Sequence, residues 1–261
     1  MSDNHVCYQM WHGHRDALIR AHDFYVSQAK ARLLTRFGNI EAEADQAAKD
    51  ALEAYKPRFD PDRHDPSDFY ESAQDVGLEF YELLTDMRED TRLGVIAGFF
   101  QQWEKKLRQW LADETIKWHR DGEVTTSIWK VKIEDLVDLI ESWGWALRQE
   151  PWFKDLDCCR MVVNVHKHGD GPSLNALALA YPQYLPSPFS AMQGFGPVSN
   201  NNPSHEHLTV NDNDLDVFAG SIVEFWRAVP ENVTFGQIKV SPPAWFEKAY
   251  NKDANKVGLT P

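Results

Sequence analysis

The chain is 261 residues long, 43% hydrophobic and 26% charged, which allows one large domain or two small ones with a real core and is too apolar for a disordered chain. Its 40 acidic residues outnumber 27 basic ones, and the formal net charge of −13 argues against general coating of nucleic acid, whose affinity comes from Lys and Arg on phosphates. No run of about 18 apolar residues occurs, so no membrane-spanning helix is expected.

Residues 1–14 lack the apolar run of a signal peptide. The only cysteines are Cys7 and the adjacent Cys158 and Cys159, which is no disulfide framework. These features predict a reduced, cytoplasmic protein. Along the chain, apolar residues at helical spacing predict a helix over 15–37 and a second, Ala- and Glu-rich one from Asn39 to about Tyr55. The Pro-containing stretch 56–65 reads as a connector, and Asp65-Pro66 as an N-cap followed by Pro at the first helical position. From there a helix to about Arg88 places Val76, Phe80, Leu83, Leu84 and Met87 on one face. The clearest helix spans 93–113, with Val95, Ile96, Phe99, Phe100, Trp103, Leu107, Trp110 and Leu111 in one stripe and Gln101, Gln102, Lys105, Lys106 and Arg108 facing away.

Residues 119–127 read as a break and 128–147 as a further helix burying Ile133, Leu136, Val137, Ile140 and Trp143. Beyond 180 the chain becomes rich in proline and asparagine, which predicts a long loop over 181–207. A helix is expected from Asp212, then a short strand over 234–240 and a frayed end. The fold class is therefore all-α. One domain is expected, made of an N-terminal helical segment (1–64), a helical core (65–180) and a loop-rich C-terminal part with one helix (181–261).

The segment 152–168 concentrates chemistry. On a helical wheel with Arg160 at zero, Lys167, Asn164, Asp157 and His168 fall within about 100° of one another. The rest of the wheel is apolar over an arc of roughly 220°, the pattern of a helix embedded in protein. Gly169 and Gly171 follow as the stop. Two arrangements compete for the polar stripe. It pairs with carboxylates of a neighbouring element or is simply a solvated strip, or it forms an anion site in which Arg160 forks onto a phosphate, Lys167 adds charge and His168 exchanges a proton. His166 falls in the apolar arc, which predicts a core histidine and favours His168 as the catalytic candidate.

The order Phe99-Phe100-Gln101-Gln102-Trp103-Glu104, then an amphipathic helix, then an Arg-containing helix ending in Asn164-x-x-Lys167-His168-Gly169, resembles HEPN-type proteins over about residues 70–180. That resemblance implies an all-α, dimeric fold and a metal-independent, cofactor-free endoribonuclease of toxin–antitoxin or antiviral systems, kept in check by an antitoxin or regulatory protein. The family's usual Arg-to-His spacing selects His166, whereas the wheel selects His168. The implied chemistry has a histidine take the proton of an RNA 2′-hydroxyl, Arg160 and Lys167 stabilise the phosphoryl charge, and Asn164 orient the site. Met161, not a polar residue, follows Arg160, which keeps open a catalytically silent module that binds a nucleotide or a protein partner.

Three further features are weaker. Lys105 and Lys106 offer a basic face for RNA, or simply the solvated side of a helix. His5, His12, His14 and the His22-Asp23 pair suggest a metal less well than a polar helix start. His205-Glu206-His207 reads as a solvated loop. No P-loop, dinucleotide fingerprint or nucleophile elbow is present, which sets aside ATPase, dehydrogenase and α/β-hydrolase functions.

Overall fold

The computed structural model describes residues 5–119, 122–187, 202–234, 236 and 241–257. The described residues are mostly helical, and no helix among them is long and apolar enough to cross a membrane. In chain order the elements are β1 (Val6–Gln9), α1 (His12–Arg32), α2 (Ile40–Tyr55), α3 (Pro66–Trp118), α4 (Gly122–Lys130), α5 (Ile133–Glu141), α6 (Phe153–His168), α7 (Pro172–Ala180), α8 (Asp212–Ala228), β2 (Asn232–Thr234) and α9 (Ala244–Val257).

The spine is α3, 53 residues long. Asp65 caps it as the sequence predicts, accepting the Ser67 N–H at 2.9 Å, with Pro66 at the first position. Where two helices were expected, over 66–88 and 93–113, the structure has one. The intervening Arg88-Glu89-Asp90-Thr91-Arg92 is polar, but polarity does not break a helix, and no proline interrupts it.

From Leu93 onward the helix enters the core. Every residue of the predicted stripe, from Val95 to Leu111, is buried there. Around it pack α1, α6 and α8, and β1 is wedged against its C-terminal end. Tyr8 of β1 stacks on Trp143 with ring centroids 4.2 Å apart, and the indole N–H groups of Trp110 and Trp118 donate to the carbonyls of Gln9 (3.0 Å) and Cys7 (2.7 Å). The abundance of tryptophan is thus spent partly on satisfying a strand's backbone. β1 pairs antiparallel with β2, with Val6 opposite Thr234, Tyr8 opposite Val233 and an irregularity between them. Of the strand predicted over 234–240, Thr234 closes β2, and residues 237–240 lie outside the described residues.

The N-terminal half of α3 behaves differently. Between Pro66 and Thr91 only Ala73 and Gly77 are buried, and both face α2. A Cβ on Gly77 would come within 2.9 Å of the Ala48 side chain, so small residues let the two helices meet closely. The two helices form an arm. Phe80, Leu83 and Met87, expected on one face, are exposed, because nothing among the described residues packs on that side. At the arm's root the buried Arg92 ties α3 to the α8 region through Asp212 (2.8 Å) and the Val210 carbonyl (3.0 Å), and to Glu89 (2.6 Å).

Three other expectations are corrected. Residues 122–127, read as part of a break, are helical and open α4, because the fully buried Asp253 accepts from the backbone N–H groups of Glu123 (3.1 Å) and Val124 (3.2 Å) at its start. The expected helix over 128–147 is divided: α4 ends at Lys130, α5 at Glu141, and the chain turns through Gly144. The expected frayed end is helix α9, which packs on α4 and supplies Asp253. Much of the predicted 181–207 loop is outside the described residues, but His205–His207 forms a short 3-10 turn capped by Ser204.

Candidate functional site

Helix α6 is embedded as its pattern predicts. Leu156, Cys158, Cys159, Val162, Val163 and Val165 are buried against α3, α7 and α8. Arg160 lies on its polar side, but its guanidinium is already engaged. Nε donates to Asp157 Oδ1 at 2.9 Å, Nη2 lies 2.8 Å from the same oxygen, and Nη1 donates to Glu134 of α5. The competing arrangement, pairing with carboxylates, is the one adopted. Because Asp157 lies one turn earlier, it draws the guanidinium toward the helix N-terminus.

The remaining predicted residues lie at the other end. Asn164 is half-buried, and His166, Lys167 and His168 are exposed in the last turn. His166 is not the core histidine the wheel predicts, because a wheel treats the helix as an endless cylinder, whereas here the packing stops short of the last turn. Lys167 in that turn suits the negative end of the helix dipole. Gly169 then leaves the helix with φ +66°, a conformation that favours glycine, and Asp170 beyond it accepts from His205 through both its backbone N–H (2.7 Å) and Nδ1 (3.0 Å). The His205–His207 turn, read as a free solvated loop, is therefore anchored to the end of α6. Eight residues separate Arg160 from His168, about 12 Å along the axis, so within one chain the stripe does not form a single site.

What does surround Arg160 is a cavity of about 300 Å³ between α3, α5 and α6. Phe100, Trp103 and Phe153 supply aromatic walls, Ile133, Val137 and Leu156 aliphatic ones, and Arg148, Arg160, Glu134 and Asp157 the polar rim. Arg148 is also neutralised, by Asp138 at 2.6 Å and by Glu141. Each cation of the rim thus has two carboxylates, and the cavity offers no uncompensated positive charge. Trp103 is 4% exposed, and its indole N–H is buried without a hydrogen-bond partner. Such a group costs about 1–3 kcal/mol unless something accepts from it.

Sequence reasoning placed Trp103 in the buried stripe and Arg160 on a polar stripe, but did not join them. Glu134 and Arg148 were missed. Glu134 sits 26 residues from Arg160 with no motif between them, and pairing across that gap has no periodic signal.

The other candidates separate. Lys105 and Lys106 are exposed on the far side of α3, but Arg108, expected beside them, turns inward to Glu104 (2.6 Å) and the Ile128 carbonyl. His22 is buried and donates to the Ala219 carbonyl at 3.0 Å, and burial lowers its pKa. Among the described residues no cluster of three or more His, Cys, Asp or Glu is arranged to hold a metal. Burial pushes the thiols up, Cys7 to about 11 and Cys158 to about 12, so neither is a thiolate nucleophile near neutral pH. Compared with known proteins, the chain matches no family model, no curated protein and no solved structure.

Proposed function

We propose that this chain is a catalytically silent HEPN-like helical module that binds a small planar ligand of nucleobase or nucleoside size in the cavity beside Arg160. The observation that carries this reading is the cavity itself, with Phe100, Trp103 and Phe153 as aromatic walls and a rim on which each cation is already paired. A planar ring would pack against those aromatic walls, and about 300 Å³ is at the small end of ligand sites. The rim's compensated charges favour a neutral base over its phosphate. Titration with the common nucleosides and their 5′-monophosphates tests this by calorimetry. The expected result is a nucleoside bound at least as tightly as its monophosphate and weakened about tenfold by Phe153→Ala, which removes one aromatic wall. Failure of every nucleoside to bind, or indifference to Phe153→Ala, rejects the reading.

A second reading is favoured by one observation, the exposed basic end of α6 with His166, Lys167 and His168. It is the metal-independent endoribonuclease, a dimeric toxin or antiviral effector in which two such ends meet on RNA and Arg160 exchanges Glu134 for a phosphate. Expression of wild type beside Arg160→Ala, His168→Ala and His166→Ala, with growth and RNA integrity as readouts, decides it. RNA loss abolished by Arg160→Ala and by one histidine variant supports the nuclease, and intact RNA in all four rejects it.

A further inference from the structure

The arm formed by α2 and the first half of α3 concentrates the protein's charge. Residues 40–90 contain 16 Asp and Glu against five Lys and Arg, a net charge of −11 out of −13 for the chain. The remainder is close to neutral. The acidity noted at the outset therefore belongs to one projecting element and not to the body.

That element also carries an uncovered apolar face. At 100° per residue Val76, Phe80, Leu83 and Met87 fall within about 60° of one another, between the Ala73–Gly77 side that meets α2 and the acidic side. Leu83 is 61% exposed, Met87 58% and Phe80 39%. The stripe runs about 16 Å, three turns. Beside it, on the solvent flank, follow Asp75, Glu79, Glu82, Asp86 and Asp90. Among these five only Asp86 and Asp90 stand near a basic side chain in sequence, and the ion pairs of Arg88 and Arg92 go to Glu89 instead.

We infer that this stripe and its acidic flank are the docking surface for a basic amphipathic helix of a partner protein. An amphipathic helix lying along the stripe places its apolar face on Phe80, Leu83 and Met87 and its Lys and Arg on the carboxylate row, the helix-on-groove mode of recognition. Charge selects this occupant. A second copy of the arm would bring a second net charge of −11 within about one Debye length of the first, roughly 8 Å at physiological salt. An anionic membrane surface would be repelled in the same way. The inference is independent of the cavity at Arg160, which is built from α3 beyond Leu93, α5 and α6.

The test uses the full chain and a fluorescent synthetic peptide of about four helical turns, with Leu on one face and Lys on the other. Fluorescence anisotropy should show saturable binding that weakens with salt, and a matched Leu/Glu peptide should not bind. Leu83→Asp is the deciding variant. It adds a negative charge, so attraction by charge alone would strengthen binding to the Lys peptide. Docking on the stripe predicts instead a loss of about tenfold or more, because an apolar contact is removed. Circular dichroism of the variant should be unchanged, since the side chain is exposed. Binding that is equal or tighter in Leu83→Asp, or no binding of the Lys peptide to wild type, overturns the inference. So does a dimer of the free chain that Leu83→Asp converts to monomer.

Discussion

The two halves of α3 are one helix with two fates. From Leu93 to Trp118 its stripe is the centre of the core, with Ile96, Phe99, Leu107 and Leu111 fully enclosed. From Pro66 to Thr91 an apolar series at the same spacing, half-buried Val76 followed by exposed Phe80, Leu83 and Met87, faces outward, and only Ala73 and Gly77 are fully buried. Periodicity does not separate the halves. What differs is the supply of neighbours. The second half meets β1, α1, α6 and α8, whereas the first meets α2, a helix of alanine and carboxylates whose contact is made by small residues. A regular helix can therefore serve as core at one end and as an exposed platform at the other.

Truncation should expose this contrast most strongly. Leu107→Ala, in the enclosed half, is expected to cost about 2–5 kcal/mol in denaturant unfolding, and Leu83→Ala within about 0.5 kcal/mol. Equal losses would mean that the platform is covered after all. Next in size is Asp253→Ala, which strips the start of α4 of its acceptor and should cost about 2 kcal/mol while leaving the arm untouched. Burial raises the Asp253 pKa, but bonds from His119 and from the Glu123 and Val124 backbone outweigh it and hold the carboxyl below its ordinary value. Its contribution is therefore complete above the unfolded carboxylate pKa of about 4 and fades as pH falls through the lower folded value. Acid unfolding of Asp253→Asn should lack that part of the pH slope. A loss confined to the arm is expected from Gly77→Val, whose side chain collides with Ala48 and the Ala44 carbonyl. Hydrogen exchange should show α2 losing protection while the core around Leu107 keeps its own, because the two halves share a helix but not a packing unit.

Much of the architecture was legible. The Asp65-Pro66 start, the stripe from Val95 to Leu111, the embedded character of α6 and the helix from Asp212 all follow from local rules, since capping and 3.6-residue periodicity are properties of neighbouring residues. Other features were not legible for the same reason. Helix α4 depends on a carboxylate 130 residues away. The continuity of α3 was hidden by a charged stretch that looks like a linker. At the candidate site the sequence located Arg160 and Asp157 on one stripe but not Glu134, and a wheel without ends misassigned His166.

The sequence by itself determined an all-α chain with no span for a membrane, an acidic balance, and one helix on which Arg160, Asn164, Lys167 and His168 share a face. Tertiary structure decided what those residues meet. It gave Arg160 to Asp157 and Glu134, left His166 and His168 at an open end, set Trp103 in the wall of a cavity, and made the segment that carries −11 of the net charge of −13 a projecting arm. Periodicity fixes which side of a helix a residue occupies. Whether anything stands on that side is fixed only by contacts between segments far apart in the chain.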